Sequence, residues 1–151
     1  MSRHPATPVV LVVEDDPGDV LMIIEALESV GMPRDIHVAS DGQDGLDFLY
    51  RVGRHRGAPR PDLILLDLNM PRLDGREALA RIKADDQLRT IPVVVFTTSQ
   101  AEADIIDAYQ RHANAYVTKP IDLDDLERIV RQIDGFYTAV ARLLPPDRQA
   151  S

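Results

Sequence analysis

Four stretches of this chain carry side chains that could do chemistry together. Glu14-Asp15-Asp16 sets three carboxylates in a row, and Asp67 is followed two residues on by Asn69. Thr97-Thr98-Ser99 sets out three hydroxyls, and Lys119 stands before Pro120. Carboxylates held within a few ångströms repel, and their pKa values rise unless something neutralises them. A hard divalent cation does this; Mg2+ is typically held by one or two carboxylates together with water and phosphate oxygens. No His lies nearby in sequence and the chain has no Cys, which disfavours Zn2+. A carboxylate beside Mg2+, with an ammonium and a hydroxyl opposite, is equipped to accept a phosphoryl group.

Each residue also has a plainer reading. Asp16 serves equally well as the cap of a following helix, and a Thr at a strand end is ordinarily packing or turn chemistry. Asp74 is better placed than Asp67 to cap the next helix, which leaves Asp67 without a capping task. Positive charge in this chain is carried by 15 Arg and only two Lys, Lys83 and Lys119. A Lys before a Pro at a strand end suits a task needing a compact point charge rather than a planar fork.

The elements around these residues alternate. Val9–Val13 reads as a strand, and Pro17 opens a helix carrying Val20, Ile23, Ile24, Leu27 and Val30, stopped by Gly31. Ile36–Ala39 is a weaker strand, and Ser40-Asp41-Gly42 turns into a helix with Leu46, Leu49 and Tyr50. Gly53–Pro61 reads as a loop. Leu63–Leu66, Pro92–Phe96 and Ala115–Val117 complete the strands, with helices around Ala78-Leu79-Ile82 and Ile105-Ile106-Tyr109 between them. Leu63–Leu66 is apolar throughout, as a strand covered on both faces must be. Five strands alternating with five helices predict a doubly wound α/β domain on a parallel sheet. In such sheets ligands bind outside the carboxyl ends of the strands, where all four chemical stretches fall.

Composition narrows the functions. The 151 residues carry 25 Asp+Glu against 17 Lys+Arg, a net charge of −8, which argues against nucleic acid or an anionic membrane as partner. Arg51, Arg54, His55, Arg56 and Arg60 cluster in one loop, but no aromatics interleave with them for base stacking. The longest apolar run, Val9–Val13, is far short of a membrane span, and Met1–Pro8 has no apolar segment of a secretory signal. A cytoplasmic location is expected. Residues 1–7 are expected to be a disordered tail, residues 8–135 one domain and residues 145–151 a second tail.

LVVEDD (Leu11–Asp16), LILLDLNMP (Leu63–Pro71) with Asp74-Gly75, VVVFTTS (Val93–Ser99) and YVTKP (Tyr116–Pro120) resemble, in order, the motif set of receiver domains of two-component response regulators. The resemblance implies a flavodoxin-like fold with strand order 2-1-3-4-5. It implies that Asp67 is the phosphoacceptor and part of the Mg2+ set, with Asp15 a direct ligand, Glu14 acting through water and Asn69 offering its backbone carbonyl. Thr97 and Lys119 would contact the phosphoryl group, and Tyr116 would be the aromatic switch that moves with Thr97. Asn69 and Ser99 occupy positions that tune dephosphorylation in this family. The long loop after the second helix, the TTS triplet and the extended last helix resemble stand-alone receivers encoded beside phytochrome-type histidine kinases. The implied partner is a sensor histidine kinase, light-regulated.

The last helix is expected to run from Asp122 to about Leu144, ~23 residues or roughly 35 Å. Its far part, residues 136–144, has little sheet to cover. Phe136, Tyr137, Val140, Leu143 and Leu144 are therefore expected to form a homodimer contact, and the signal to leave through a protein surface. Two other functions use parts of this equipment. A Mg2+-dependent phosphohydrolase with an aspartyl-phosphate intermediate would want an acid where Asn69 stands. A flavin-binding domain would want a hydroxyl- and Gly-rich loop where Glu14-Asp15-Asp16 stands.

Overall fold

The computed structural model describes residues 7–140. Five strands, β1 (Val9–Val13), β2 (Asp35–Ala39), β3 (Leu63–Leu66), β4 (Val93–Thr97) and β5 (Ala115–Thr118), alternate with α1 (Pro17–Glu28), α2 (Gly42–Tyr50), α3 (Gly75–Ala84), α4 (Glu102–Gln110) and α5 (Leu123–Asp134). All strand pairs are parallel, in the order β2-β1-β3-β4-β5.

The apolar runs are continuous because the sheet is covered twice. Leu11, Val13, Ile64, Leu66, Val93 and Val95 pack with Leu46, Leu79, Ile82 and Ala108 of α2, α3 and α4. Their alternates Val10, Val12, Leu63, Leu65, Val94 and Phe96 pack with Ile23, Leu27, Leu126 and Val130 of α1 and α5. Side chains alternate across a strand, so one apolar run supplies both cores.

Aspartates account for most helix starts. Asp16, Asp41, Asp74 and Asp122 each accept an amide N–H of the following first turn, which assigns Asp16 to capping. The Gly53–Pro61 segment contains a one-turn 3-10 helix, Gly53–His55, and folds back on the domain. Arg54 and His55 bind the buried Asp44 at 2.6 and 2.7 Å. Arg51 donates to the Ala58 carbonyl, and Arg60 to the Gln87 carbonyl and to Thr90. Four of the five clustered basic side chains thus hold the loop itself.

The last helix continues past Asp134, as expected, but its winding changes. Regular α-winding ends at Asp134, and Gly135–Val140 continue as a wider π-helical segment. The Thr138 hydroxyl takes the Asp134 carbonyl at 2.7 Å, competing with the backbone for that acceptor. Arg34 donates to the Asp134 carboxylate at 2.9 Å and to Thr138 at 2.8 Å, tying the segment before β2 to this turn. Tyr137, expected at a dimer contact, packs on the core beneath α1 and α5, whereas Phe136 is 53% exposed. The side chain of Val140 and all of Leu143 and Leu144 lie outside the described residues, as do residues 1–6 and 141–151.

Candidate functional site

Strand register assembles the site. Val13 pairs with Leu66 across β1 and β3, so the next residues, Glu14 and Asp67, leave the sheet side by side. Asp67 N–H donates to the Val13 carbonyl at 3.0 Å, and Glu14 N–H to the Ala39 carbonyl at 3.0 Å. On the other side Thr97 pairs with Thr118, and Lys119 N–H donates to the Thr97 carbonyl at 2.7 Å. Four strand ends therefore meet on one rim, at the point where the chain order reverses between β1 and β3.

Glu14, Asp67, Thr97 and Lys119 are all buried, and Asp15 is exposed at the mouth. Glu14, Asp15 and Asp67 each present a carboxylate oxygen, and these oxygens lie within 4.8 Å of one another. The Lys119 ammonium points into this group. It is ion-paired with Glu14, bonded to Asp19 at 2.9 Å and 3.9 Å from Asp67, with the Phe96 ring 5.9 Å away. Glu14 turns its other oxygen to the amides of Asp15 and Asp16. Asp67 accepts the N–H of Leu68 at 2.9 Å, which orients its carboxylate.

Burial pushes the Glu14 carboxyl up to about 7, against the pull of the Lys119 hydrogen bond and with help from the charge on Asp67. Burial alone would lower the Lys119 ammonium. Its bonds to Glu14 and Asp19 and the charge of Asp67 outweigh this, so its pKa lies above the usual lysine value. Three crowded carboxylates and one ammonium leave an excess of negative charge on hard oxygen donors, which suits a divalent cation. The buried Thr97 hydroxyl has no hydrogen-bond partner among the described residues. A buried hydroxyl left so costs about 1–3 kcal/mol.

The remaining residues lie further out. Asn69 is exposed beside Asp67. The β3–α3 turn that carries it is docked on α2. Gly42 N–H donates to the Leu73 carbonyl at 3.0 Å, and the guanidinium of Arg72, a residue with φ of 62°, forks onto Asp41 at 2.6 and 2.9 Å. Tyr116 is half-buried, and its hydroxyl donates to the Ser99 carbonyl at 2.9 Å. Ser99 donates to Asp104 at 2.6 Å, and Arg76 binds the other oxygen of Asp104 at 2.9 Å. Ser99 is therefore joined to α3 and α4, and Thr98 is exposed.

Sequence reasoning missed Asp19, Arg72 and Asp41. A signal for Asp19 was present, since it lies in the first turn of the helix that follows Glu14-Asp15-Asp16 and so stands near the same rim. Nothing local pointed to a lysine 100 residues away.

The chain has known relatives. Among curated proteins, the chain is 42% identical over 135 residues to the response regulator Rcp1 of Synechocystis, spanning 89% of this chain and 92% of that protein. It is 40% identical over 129 residues to the probable methanogenesis regulatory protein FilR2 of Methanothrix harundinacea, spanning 85% and 83%. Among solved structures it resembles the phosphorylated cyanobacterial phytochrome response regulator RcpA (43% identity, TM-score 0.90, 93% of this chain and 100% of that one). It also resembles the Mn2+-bound form of Rcp1 (41% identity, TM-score 0.87, 91% and 99%). Residues 10–131 match the model of the response regulator receiver domain, and the chain belongs to that family, whose members bind a divalent metal and relay signals from histidine kinases.

Proposed function

We propose that Asp67 accepts a phosphoryl group from a phosphohistidine of a sensor kinase, in a reaction requiring Mg2+. The observation that carries this reading is the convergence of buried Asp67, Lys119 and partnerless Thr97 beside two further carboxylates. An Asp67 oxygen forms a bond to phosphorus as the phosphorus–nitrogen bond breaks, and the bonding pair returns to the imidazole. Glu14, Asp15, Asp67 and the Asn69 carbonyl would hold Mg2+, which when bound neutralises charge on the phosphoryl oxygens. Lys119 adds a second positive charge and Thr97 donates its free hydroxyl to the same group. The added charge of about −2 draws on the ends of β4 and β5, and Tyr116 transmits the shift through its bond to Ser99. Asn69 and Ser99 tune the return reaction, which the domain assists itself.

Incubation with Mg2+ and acetyl phosphate tests the assignment. The wild type is expected to gain one hydroxylamine-sensitive phosphate and Asp67→Asn none; labelling that persists in the variant would place the acceptor elsewhere.

The likeness to RcpA and Rcp1 supports a phytochrome-type histidine kinase as donor, acting in the cytoplasm. Among the described residues no helix is long and apolar enough to cross a membrane. Exposed Phe136, continued in sequence by Val140, Leu143 and Leu144, supports a homodimer. Sedimentation of Phe136→Glu reads this directly, and an assembly state equal to wild type would end the dimer reading.

A further inference from the structure

Lys119 is held by more acid than its charge requires. The ammonium has three hydrogens to donate, and Glu14 together with Asp67 would suffice to balance it. Instead it bonds Glu14 and Asp19, and Asp67 is left at 3.9 Å, outside hydrogen-bonding distance. Lys119 is 4% exposed, and Asp19, 27% exposed, reaches it from the first turn of α1. The helix dipole makes that turn hospitable to a carboxylate, but it does not direct the carboxylate at a lysine on another strand end. Without Asp19, the carboxylate that remains beside Glu14 to take the ammonium is Asp67, whose Oδ2 lies 3.9 Å away, about 1 Å beyond a typical hydrogen bond. A lysine bonded there would engage a lone pair of the nucleophile and place positive charge where the cation must bind.

We propose that Asp19 is a positioning residue: it holds the Lys119 ammonium to one side, so that the Asp67 carboxylate stays open to metal and to the incoming phosphoryl group. The inference rests on the assignment of Asp67 and its neighbours given above. It adds a residue outside the metal set itself, whose three carboxylates are Glu14, Asp15 and Asp67.

Calorimetric titration of the full chain with Mg2+ separates this role from a plain contribution of negative charge. Asp19→Ala is expected to weaken Mg2+ binding by about three- to tenfold, because the lysine relaxes onto Asp67. In a chain already carrying Lys119→Ala the same change should have less than about a twofold effect, since no ammonium remains to relocate. Asp19→Glu should restore most of the affinity, and Asp19→Asn serves in place of Asp19→Ala if the latter does not fold. Wild-type affinity in Asp19→Ala, or equal weakening with and without Lys119, would overturn the proposal. If the wild type itself took up no Mg2+, the assignment of the site would fall first. A wild type that binds Mg2+ and is labelled on Asp67, beside an indifferent Asp19→Ala, would remove only the role of Asp19.

Discussion

Gly75→Ala is the substitution for which this structure makes its sharpest demand. Gly75 opens α3 directly beneath the site, and its N–H donates to the Leu68 carbonyl at 2.9 Å. A Cβ placed there would lie 2.0 Å from the Asp67 carbonyl oxygen and 2.7 Å from the Leu68 Cα. Both are backbone atoms, so no rotamer relieves the contact. Separations under 3.0 Å essentially never occur, and the helix start and the Asp67 segment must part by about 1 Å. Gly75 does not have a positive φ, so alanine would otherwise be tolerated and would add up to about 1 kcal/mol of helix preference. Overpacking a tight site costs about 1–3 kcal/mol, and a contact this short with backbone belongs at the upper end, leaving a net loss of about 2 kcal/mol. The kinetic effect should be larger. Asp67 is oriented by the Leu68 N–H, and a 1 Å misplacement of a reacting group costs on the order of a hundredfold in rate. Urea unfolding measures the first quantity, and the initial rate of labelling by acetyl phosphate with Mg2+ measures the second. Gly135→Ala is the internal control: nothing lies within 4 Å of its added Cβ, and it should leave both quantities unchanged or slightly raise stability. A Gly75→Ala protein with wild-type stability and labelling rate would refute the argument.

Three further outcomes are expected. Thr97→Val removes a buried hydroxyl without a partner among the described residues and should raise stability by about 1 kcal/mol while shortening the life of the phosphorylated state; lower stability in a urea melt would contradict this. Asp41→Ala should cost at least the worth of an α2 cap, about 1 kcal/mol, and Arg72→Ala should lower the melting temperature by releasing the left-handed turn from Asp41; equal melting temperatures would show that the fork does not hold the turn. Acid should destabilise the fold below the ordinary aspartate value of 3.8. The Arg72 hydrogen bond holds Asp41 below that value. Burial opposes the same shift at Asp44, but bonds from His55 and Ser40 and the charge of Arg54 prevail. The unfolded chain then takes up protons that the fold resists, so this stability is present above 3.8 and is lost as pH falls through the depressed values. A urea midpoint that does not move on acidification below 3.8 would show these ion pairs contribute nothing.

What the sequence determined by itself was the identity and order of the elements. Apolar runs as short as Leu63–Leu66, flanked by Pro61 and the Asn69–Pro71 turn, read as strands buried on both faces, and Asp74 and Asp122 mark helix starts by local hydrogen-bonding chemistry. The residues that follow each strand then lie on one rim, because every strand of a parallel sheet ends on the same side. That much needed only periodicity and turn chemistry, which act between neighbours in the chain. The tertiary structure alone decided the contacts between rim residues. Asp19 meets Lys119 across 100 positions and Arg72 meets Asp41 across 31. Gly75 presses on the Asp67 carbonyl, and Tyr137 turns inward where the last helix was expected to offer it to a partner. Such contacts depend on register, on the crossing of helices over the sheet and on which of several carboxylates an ammonium reaches first. Those are properties of packing in three dimensions, and no local pattern of residues carries them.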